Sequence, residues 1–228
     1  MKKNIKIPYF IYYPLLIILL LVISFTMERA FHLNFAKYGI YPHKIKGLRG
    51  ILLWNFIHSD IKHLLNNIVA FFVLSAFLFY HYKKYAWKIL LIGSFITGIL
   101  TWLIGREAYH IGISGINFML FSFLFFSGIF SKYYRLMAVS LIVVFLYGSI
   151  IWLMFPIIKN MSWEGHLSGF ISGLFFSFLY SKEIKNKYAF ANKVKIYPED
   201  EEFLKQFDEK GNFIENTEKT KEQKEKLG

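Results

Sequence analysis

The sequence predicts an all-α membrane protein, and three observations lead to that prediction. Hydrophobic residues make up 55% of the 228 residues and charged residues only 18%, whereas a soluble domain usually carries about 25% charged residues. The apolar residues fall into six long runs. The basic residues stand in short clusters between these runs, as they do beside membrane-spanning helices. Together these features exclude a disordered chain, a collagen-like chain and an ordinary cytosolic enzyme.

We expect membrane-spanning helices in six runs, at about 8–27, 64–80, 86–104, 111–131, 136–158 and 165–181. Each run is close to the ~17–25 residues that cross a ~30 Å hydrocarbon layer as a helix. The first run is too long for a signal peptide and is followed by no cleavage site, so we interpret it as a retained helix. In lipid the backbone must satisfy its own hydrogen bonds, and this requirement predicts a helix for every run.

The distribution of charge predicts the orientation of these helices. Residues 183–228 hold 10 basic and 11 acidic residues, which leaves 17 basic and 4 acidic residues in the rest of the chain. Basic residues at the predicted inner ends outnumber those at the outer ends by 13 to 8, so we expect both termini inside. We expect residues 1–182 to form the membrane domain and residues 183–228 to form a polar cytoplasmic tail, largely disordered.

Several chemistries and partners are excluded by the same sequence. The chain has no cysteine, which excludes a disulfide framework, a thiolate metal site and a cysteine nucleophile. It has no H-E-x-x-H zinc motif, and Asp60 is its only aspartate before the tail, so no pair of aspartates can act within the spans. We expect no metal, no organic cofactor and no nucleic-acid partner. The Lys-, Ile- and Phe-rich composition favours a prokaryotic plasma membrane.

Four polar residues lie near the predicted outer ends of the second, fourth and sixth spans. His63 and Asn67 are four residues apart, so they share a helix face; Ser114 begins the fourth span, and His166 lies one turn into the sixth. These three spans run in the same direction, which predicts one shallow depth for all four residues. A polar residue in a membrane helix is a functional candidate, although it can also simply bind a neighbouring helix. A hydroxyl, an imidazole base and further hydrogen-bond donors form the set that nucleophilic catalysis needs.

Three motifs carried by these residues resemble those of the rhomboid intramembrane serine proteases. Residues 112–115 (GISG) resemble the GxSG motif, and residues 63–67 (HLLNN) resemble the HxxxN motif of the second core helix. Residues 165–169 (GHLSG) resemble the His-x-x-Gly element of the sixth helix. The order of the motifs, their spacing and the six-span arrangement agree over about residues 8–182.

The resemblance implies a six-helix rhomboid-like bundle and a serine endopeptidase that cleaves single-span membrane proteins near the outer leaflet of the bilayer. It implies that Ser114 is the nucleophile and that His166 is the general base and later the acid. It implies that His63 and Asn67 donate hydrogen bonds to the oxyanion, beside the backbone N–H of Ser114. The supporting positions that it implies are Gly112, Gly115, Phe118 and Gly169. The family uses a Ser-His dyad without a third acidic member, so Glu164 is not expected to be catalytic.

Two positions depart from the family pattern. The family usually has a tyrosine four residues after the nucleophile, where this chain has Phe118, which keeps the ring face and loses the hydroxyl. The family's Trp-Arg pair in the first outer loop is not matched cleanly, because Arg49 and Trp54 are separated.

Two alternatives stay open at this point. One is a non-catalytic rhomboid-like protein that binds membrane helices as a scaffold. The other is a small transporter with His63 and His166 as a proton relay. The natural substrate and the oligomeric state do not follow from the sequence.

Overall fold

The computed structural model describes residues 7–159, 161–189 and 203–207. Up to Ala189 it contains seven α-helices: α1 (Tyr9–Ala30), α2 (Gly50–Leu53), α3 (Ile61–His81), α4 (Ala86–Ile104), α5 (Ser114–Ser131), α6 (Tyr134–Tyr147) and α7 (Trp163–Ala189). Short 3-10 helices lie at Ala36–Tyr38, Ile45–Arg49, Trp54–Phe56 and Gly148–Met154. No strand is found among the described residues, and Ile40 and His110 form an isolated antiparallel bridge. The all-α prediction is therefore confirmed.

The chain divides into two compact units, residues 1–189 and 190–228. The first unit holds all seven helices. Its last helix, α7, continues past the predicted domain boundary at residue 182 to Ala189. Of the second unit, only residues 203–207 are described, so most of the predicted disordered tail lies outside the described residues.

Five stretches of the described chain have the length and apolar composition needed to cross a membrane. They are α1, α3, α4, α5 and residues Tyr134–Met154, which combine α6 with the 3-10 helix that follows it. The protein is thus a multi-pass membrane protein. Helix α7 has 27 residues, but its glycines, serines and charged residues make it less apolar than the other five. The sixth span therefore stays a prediction.

The helix bounds differ from the predicted spans at three places. The run 136–158 is not one α-helix, because α6 ends at Tyr147 and a 3-10 helix follows to Met154; Gly148 at the junction is a poor α-helix former. Helix α5 begins at Ser114 rather than at residue 111, because Gly112 has a φ of 104°, outside the right-handed helical range. Helix α7 extends into charged sequence, since backbone hydrogen bonds do not require apolar side chains.

Helix α5 lies at the centre of the first unit and packs against α3, α4, α6 and α7. Its contact with α7 is close because glycines of α7 face the backbone of α5. A Cβ atom added to Gly169 would lie 2.0 Å from the carbonyl oxygen of Gly115, and one added to Gly173 would lie 2.1 Å from that of Met119. Small residues at such positions let two membrane helices approach closely. This packing brings the first turns of α5 and α7 side by side.

The segment between α1 and α3 folds back onto the bundle through short helical turns. Its bridge joins Ile40 to His110, with N–H to carbonyl distances of 3.0 and 2.8 Å. Trp54 is buried, and its ring lies so close to Gly115 that an added Cβ would be 2.4 Å from it. Arg49 is placed elsewhere, over the ring of Tyr38 at 4.7 Å. The tryptophan and the arginine of this segment therefore make separate contacts.

Candidate active site

Ser114 and His166 face each other across the α5–α7 contact. Ser114 is the first residue of α5, directly after the turn that Gly112 makes possible. His166 lies in the first turn of α7. The distance from Nε2 of His166 to Oγ of Ser114 is 3.0 Å, which is within hydrogen-bond range. The nucleophile and base predicted from the sequence thus lie in direct contact.

The ring of His166 is oriented by two further contacts. Its Nδ1 lies 2.8 Å from the carbonyl oxygen of Leu153. A carbonyl only accepts, so Nδ1 carries the proton, and in the neutral ring the lone pair of Nε2 points to the hydroxyl of Ser114. The ring of Phe118 stacks on His166 at a centroid distance of 4.3 Å and an interplanar angle of 11°. The arrangement suits a general base, and its orienting acceptor is a backbone carbonyl rather than a carboxylate.

His63 and Asn67 converge on the turn before Ser114. A Cβ on Gly112 would lie 2.9 Å from both Cε1 and Nε2 of His63 and 3.9 Å from Nδ2 of Asn67. The amide of Asn67 is held at both ends, because its Nδ2 donates to the carbonyl of His63 at 3.0 Å and its Oδ1 accepts from Nδ2 of Asn117 at 3.1 Å. One N–H of the Asn67 amide stays available to a further acceptor.

The proton on His63 is set by its neighbours Ser59 and Asp60. Asp60 caps α3 by accepting the backbone N–H of His63 at 2.8 Å, and it accepts the hydroxyl of Ser59 at 2.7 Å. These two hydrogen bonds lower the pKa of Asp60, which is therefore ionised and accepts only. The oxygen of Ser59 then accepts from Nδ1 of His63 at 3.1 Å. In this arrangement His63 can donate from Nε2 only when both ring nitrogens are protonated, whereas Asn67 donates as it stands.

His58 lies behind His63 and packs against it edge to face, at a centroid distance of 5.1 Å. It is buried, and its Nε2 faces the backbone N–H of Ile113 at 3.5 Å. Burial, together with the neighbouring His63, lowers the pKa of His58 to about 3, against smaller opposing effects of Asp60 and the Phe56 backbone. A neutral His58 accordingly supports the ring of His63 and the turn before Ser114.

A cavity of about 560 Å³ opens over these residues. Its lining includes the four predicted site residues and Phe118, together with four residues that sequence reasoning did not find: Ser59, Asn117, Leu153 and Ser162. Asn117 is one turn after Ser114 in an apolar run, so its spacing could have drawn attention to it. Leu153 acts through its backbone, which no side-chain pattern reveals. In the described part of the chain, no group of three His, Asp or Glu side chains could hold a metal ion.

The carboxylate of Glu164 binds the guanidinium of Arg106 at 2.9 Å, whereas the ring nitrogens of His166 contact Leu153 and Ser114. The supporting glycines occupy distinct places. Gly112 forms the left-handed turn before Ser114, while Gly115 and Gly169 allow the close approach of α5 and α7. A hydroxyl, an oriented imidazole and an amide donor thus line one cavity. These are the groups that nucleophilic acyl transfer requires.

Comparison with known proteins gives one family. A family model described as a rhomboid domain matches residues 47–183, a range that contains Ser114, His166, His63 and Asn67. The chain is similar to uncharacterised proteins of Mycobacterium bovis and Mycobacterium tuberculosis, each 31% identical over 153 residues, or 63% of this chain and 63% of the relative. A relative in Mycobacterium leprae is 30% identical over 153 residues, 63% of this chain and 60% of its own length. The chain therefore spans somewhat less than two thirds of these curated relatives.

Proposed function

The chain belongs to the rhomboid family, whose members are in general intramembrane serine proteases, and on this premise we propose that it is an intramembrane serine endopeptidase. The single observation that carries the proposal is the hydrogen bond of 3.0 Å between Oγ of Ser114 and Nε2 of His166. The other ring nitrogen of His166, Nδ1, is held by the backbone carbonyl of Leu153. A serine hydroxyl becomes a useful nucleophile only beside a base that can take its proton. A helix-binding scaffold would not need this arrangement.

The proposed reaction uses Ser114 and His166 in two half-reactions. As Oγ of Ser114 attacks the scissile carbonyl carbon, its proton passes to Nε2 of His166. When the tetrahedral intermediate collapses, the C–N bond breaks and His166 gives that proton to the leaving amine. A water molecule then attacks the acyl-enzyme with the same base, and Ser114 leaves with the proton. His166 thus acts as base and then acid in each half.

The negative charge of the tetrahedral intermediate needs donors that are in place before the reaction. Asn67 is proposed as the main side-chain donor, because Asn117 and the carbonyl of His63 hold its amide beside Gly112. His63 contributes when it carries a proton on both ring nitrogens. The backbone N–H of Ser114 adds to them, since the first N–H groups of a helix have no partner within it.

The proposed substrates are single-span membrane proteins, cleaved near the outer leaflet. The proposed topology has six spans, with α7 as the sixth and both termini inside. Ser114, His63 and His166 all lie in the first turns of their helices, so this topology puts the dyad at a shallow depth that water can reach. The relatives are bacterial, and the proposed location is a prokaryotic plasma membrane.

A serine-directed fluorophosphonate probe tests the proposal in the detergent-solubilised protein. We expect labelling of the wild type and none of Ser114→Ala. Ser168→Ala is the matched control, because Ser168 is buried close to His166 but its hydroxyl donates to the carbonyl of Glu164 at 2.7 Å. Labelling should persist in this control. A folded wild type that never labels would indicate a scaffold or a transporter and would refute the proposed function.

A further inference from the structure

An ion pair joins the loop before α5 to the first turn of α7. The Nη1 atom of Arg106 lies 2.9 Å from both carboxylate oxygens of Glu164, and its Nη2 donates to the carbonyl of Met161 at 2.7 Å. The side chain of Glu164 is only 2% exposed, whereas that of Arg106 is 44% exposed. One guanidinium therefore holds both the end of the loop that leads into α7 and the beginning of the helix.

A second cross-link runs beside the first. Nε2 of His110 lies 3.1 Å from the carbonyl of Arg106 and carries the proton, since a carbonyl only accepts. Nδ1 of His110 then accepts from the hydroxyl of Ser162. Burial lowers the pKa of His110, in spite of the opposing effects of the Arg106 carbonyl and Glu164. A neutral His110 satisfies both contacts at once.

The second cross-link has the same spacing along the chain as the proposed dyad. His110 and Ser162 are separated by 52 residues, as are Ser114 and His166. His110 thus precedes Ser114 by four residues, and Ser162 precedes His166 by four residues. The carbonyl of Ser162 also accepts the backbone N–H of His166 at 3.2 Å. A movement of Ser162 would therefore move the base directly.

A buried ion pair is weak evidence for a role in stability, because the cost of removing charge from water offsets much of its attraction. The pair lies where the proposed chemistry depends on geometry, since a misplacement of about 1 Å can cost about 10²-fold in rate. Resting on the proposed function, we propose that Arg106, His110, Ser162 and Glu164 form a clamp that positions His166 against Ser114. Glu164 is thus a positioning residue that acts through α7 rather than a catalytic one.

Variants of the ion pair test the clamp in the full-length, detergent-solubilised protein. Glu164→Gln keeps the shape of the side chain and removes its charge, and the double variant Arg106→Gln/Glu164→Gln leaves no buried charge unpaired. Glu107→Gln is the matched control, because Glu107 is the neighbouring carboxylate and its pair with Lys44 is exposed. In both test variants we expect kcat to fall about 10- to 100-fold while KM stays within about twofold. The control should match the wild type.

Hydrogen exchange at residues 161–166 separates failure of the clamp from failure of the proposed function. The clamp predicts faster exchange at these amides in Glu164→Gln and in the double variant, whether or not the protein cleaves a substrate. Unchanged exchange would overturn the clamp. Faster exchange with a kcat within twofold of the wild type would overturn its positioning role. A wild type without Ser114-dependent cleavage would refute the proposed function, and the exchange result would still decide whether the clamp holds α7.

Discussion

The ring of His166 is held from three directions: by the carbonyl of Leu153 at Nδ1, by the hydroxyl of Ser114 at Nε2 and by the face of Phe118. In many serine hydrolases a carboxylate orients the base and stabilises its charged form. A backbone carbonyl can orient the ring and fix its tautomer without a full charge. This difference explains how a proposed dyad can work without an acidic third member.

Phe118 allows the contribution of stacking to be measured. Phe118→Ala removes the ring over His166, and an aromatic pair is worth about 0.5–1.5 kcal/mol. If that contact holds the base in place, turnover should fall about 2- to 12-fold. Phe118→Tyr keeps the ring face and restores the residue usual in the family, so it should retain wild-type turnover. Equal turnover in all three proteins would exclude a role for stacking.

Asn67→Ala tests the proposed oxyanion donor. Loss of one such donor typically costs about 10²–10³ in turnover, whereas a merely structural contact between membrane helices is worth about 0.6–2 kcal/mol of stability. We therefore expect much slower cleavage by a protein that still folds, with a melting temperature lowered only by the loss of the hydrogen bonds to Asn117 and His63. Asn66→Ala is the control, since Asn66 is the adjacent, exposed asparagine of the same cavity. Wild-type turnover with a lowered melting temperature would assign Asn67 to packing alone.

The sequence could identify the candidate residues that belong to short motifs, because spacing on one helix indicates a shared face. It could not identify Leu153, whose contact is made by its backbone. The contact between Arg106 and Glu164 joins positions 58 residues apart, and local periodicity contains no sign of it. Asn117 could not be identified as a site residue because it lies in an apolar run that indicates only a buried helix.

The contact between α5 and α7 sets the distance between the side chains of Ser114 and His166, and glycine makes this contact possible. Gly169→Ala would place a Cβ 2.0 Å from the carbonyl of Gly115, so the helices must separate. Overpacking of this kind costs about 1–3 kcal/mol, and we expect a lower melting temperature together with lower turnover. Gly148→Ala is the control for the melting temperature alone, because the atom nearest to its added Cβ would be 3.3 Å away, on a side chain of its own turn. Equal melting temperatures for both variants would contradict this account.

The helices were predictable as elements because long apolar runs have one solution in lipid. The ends of the helices were less predictable than the helices themselves. Hydropathy predicted a single helix over 136–158, but the chain changes to a 3-10 helix at Gly148, and this tighter segment contains the Leu153 carbonyl that binds His166. Hydropathy also ended the last helix at 181, although α7 continues to Ala189 through charged residues. Apolar composition measures burial in lipid and not backbone hydrogen bonding.

At the scale of the whole molecule, the proposed dyad and all of α7 belong to residues 1–189. Truncation after residue 198 should leave detergent-solubilised cleavage within about twofold of the full chain, because it keeps all of α7. Truncation after residue 181 is the contrasting variant. It removes the buried Ile184 and also Glu183, which accepts from the hydroxyl of Tyr85 and pairs with Lys84 at 3.7 Å. We expect that protein to melt at a lower temperature. Loss of activity in a correctly folded 1–198 chain would contradict the independence of the tail.

The proposed function depends on attack by Ser114 on a peptide bond inside a membrane. The most direct measurement is cleavage of a single-span reporter protein by the purified chain in proteoliposomes, with the cut fragments identified by mass. We expect cleavage near the outer end of the reporter span by the wild type and by Ser168→Ala. We expect none by Ser114→Ala, because no other hydroxyl among the described residues hydrogen-bonds to Nε2 of His166, and none by His166→Ala, which lacks the proposed base. Cleavage retained in a folded Ser114→Ala protein would refute the proposed function.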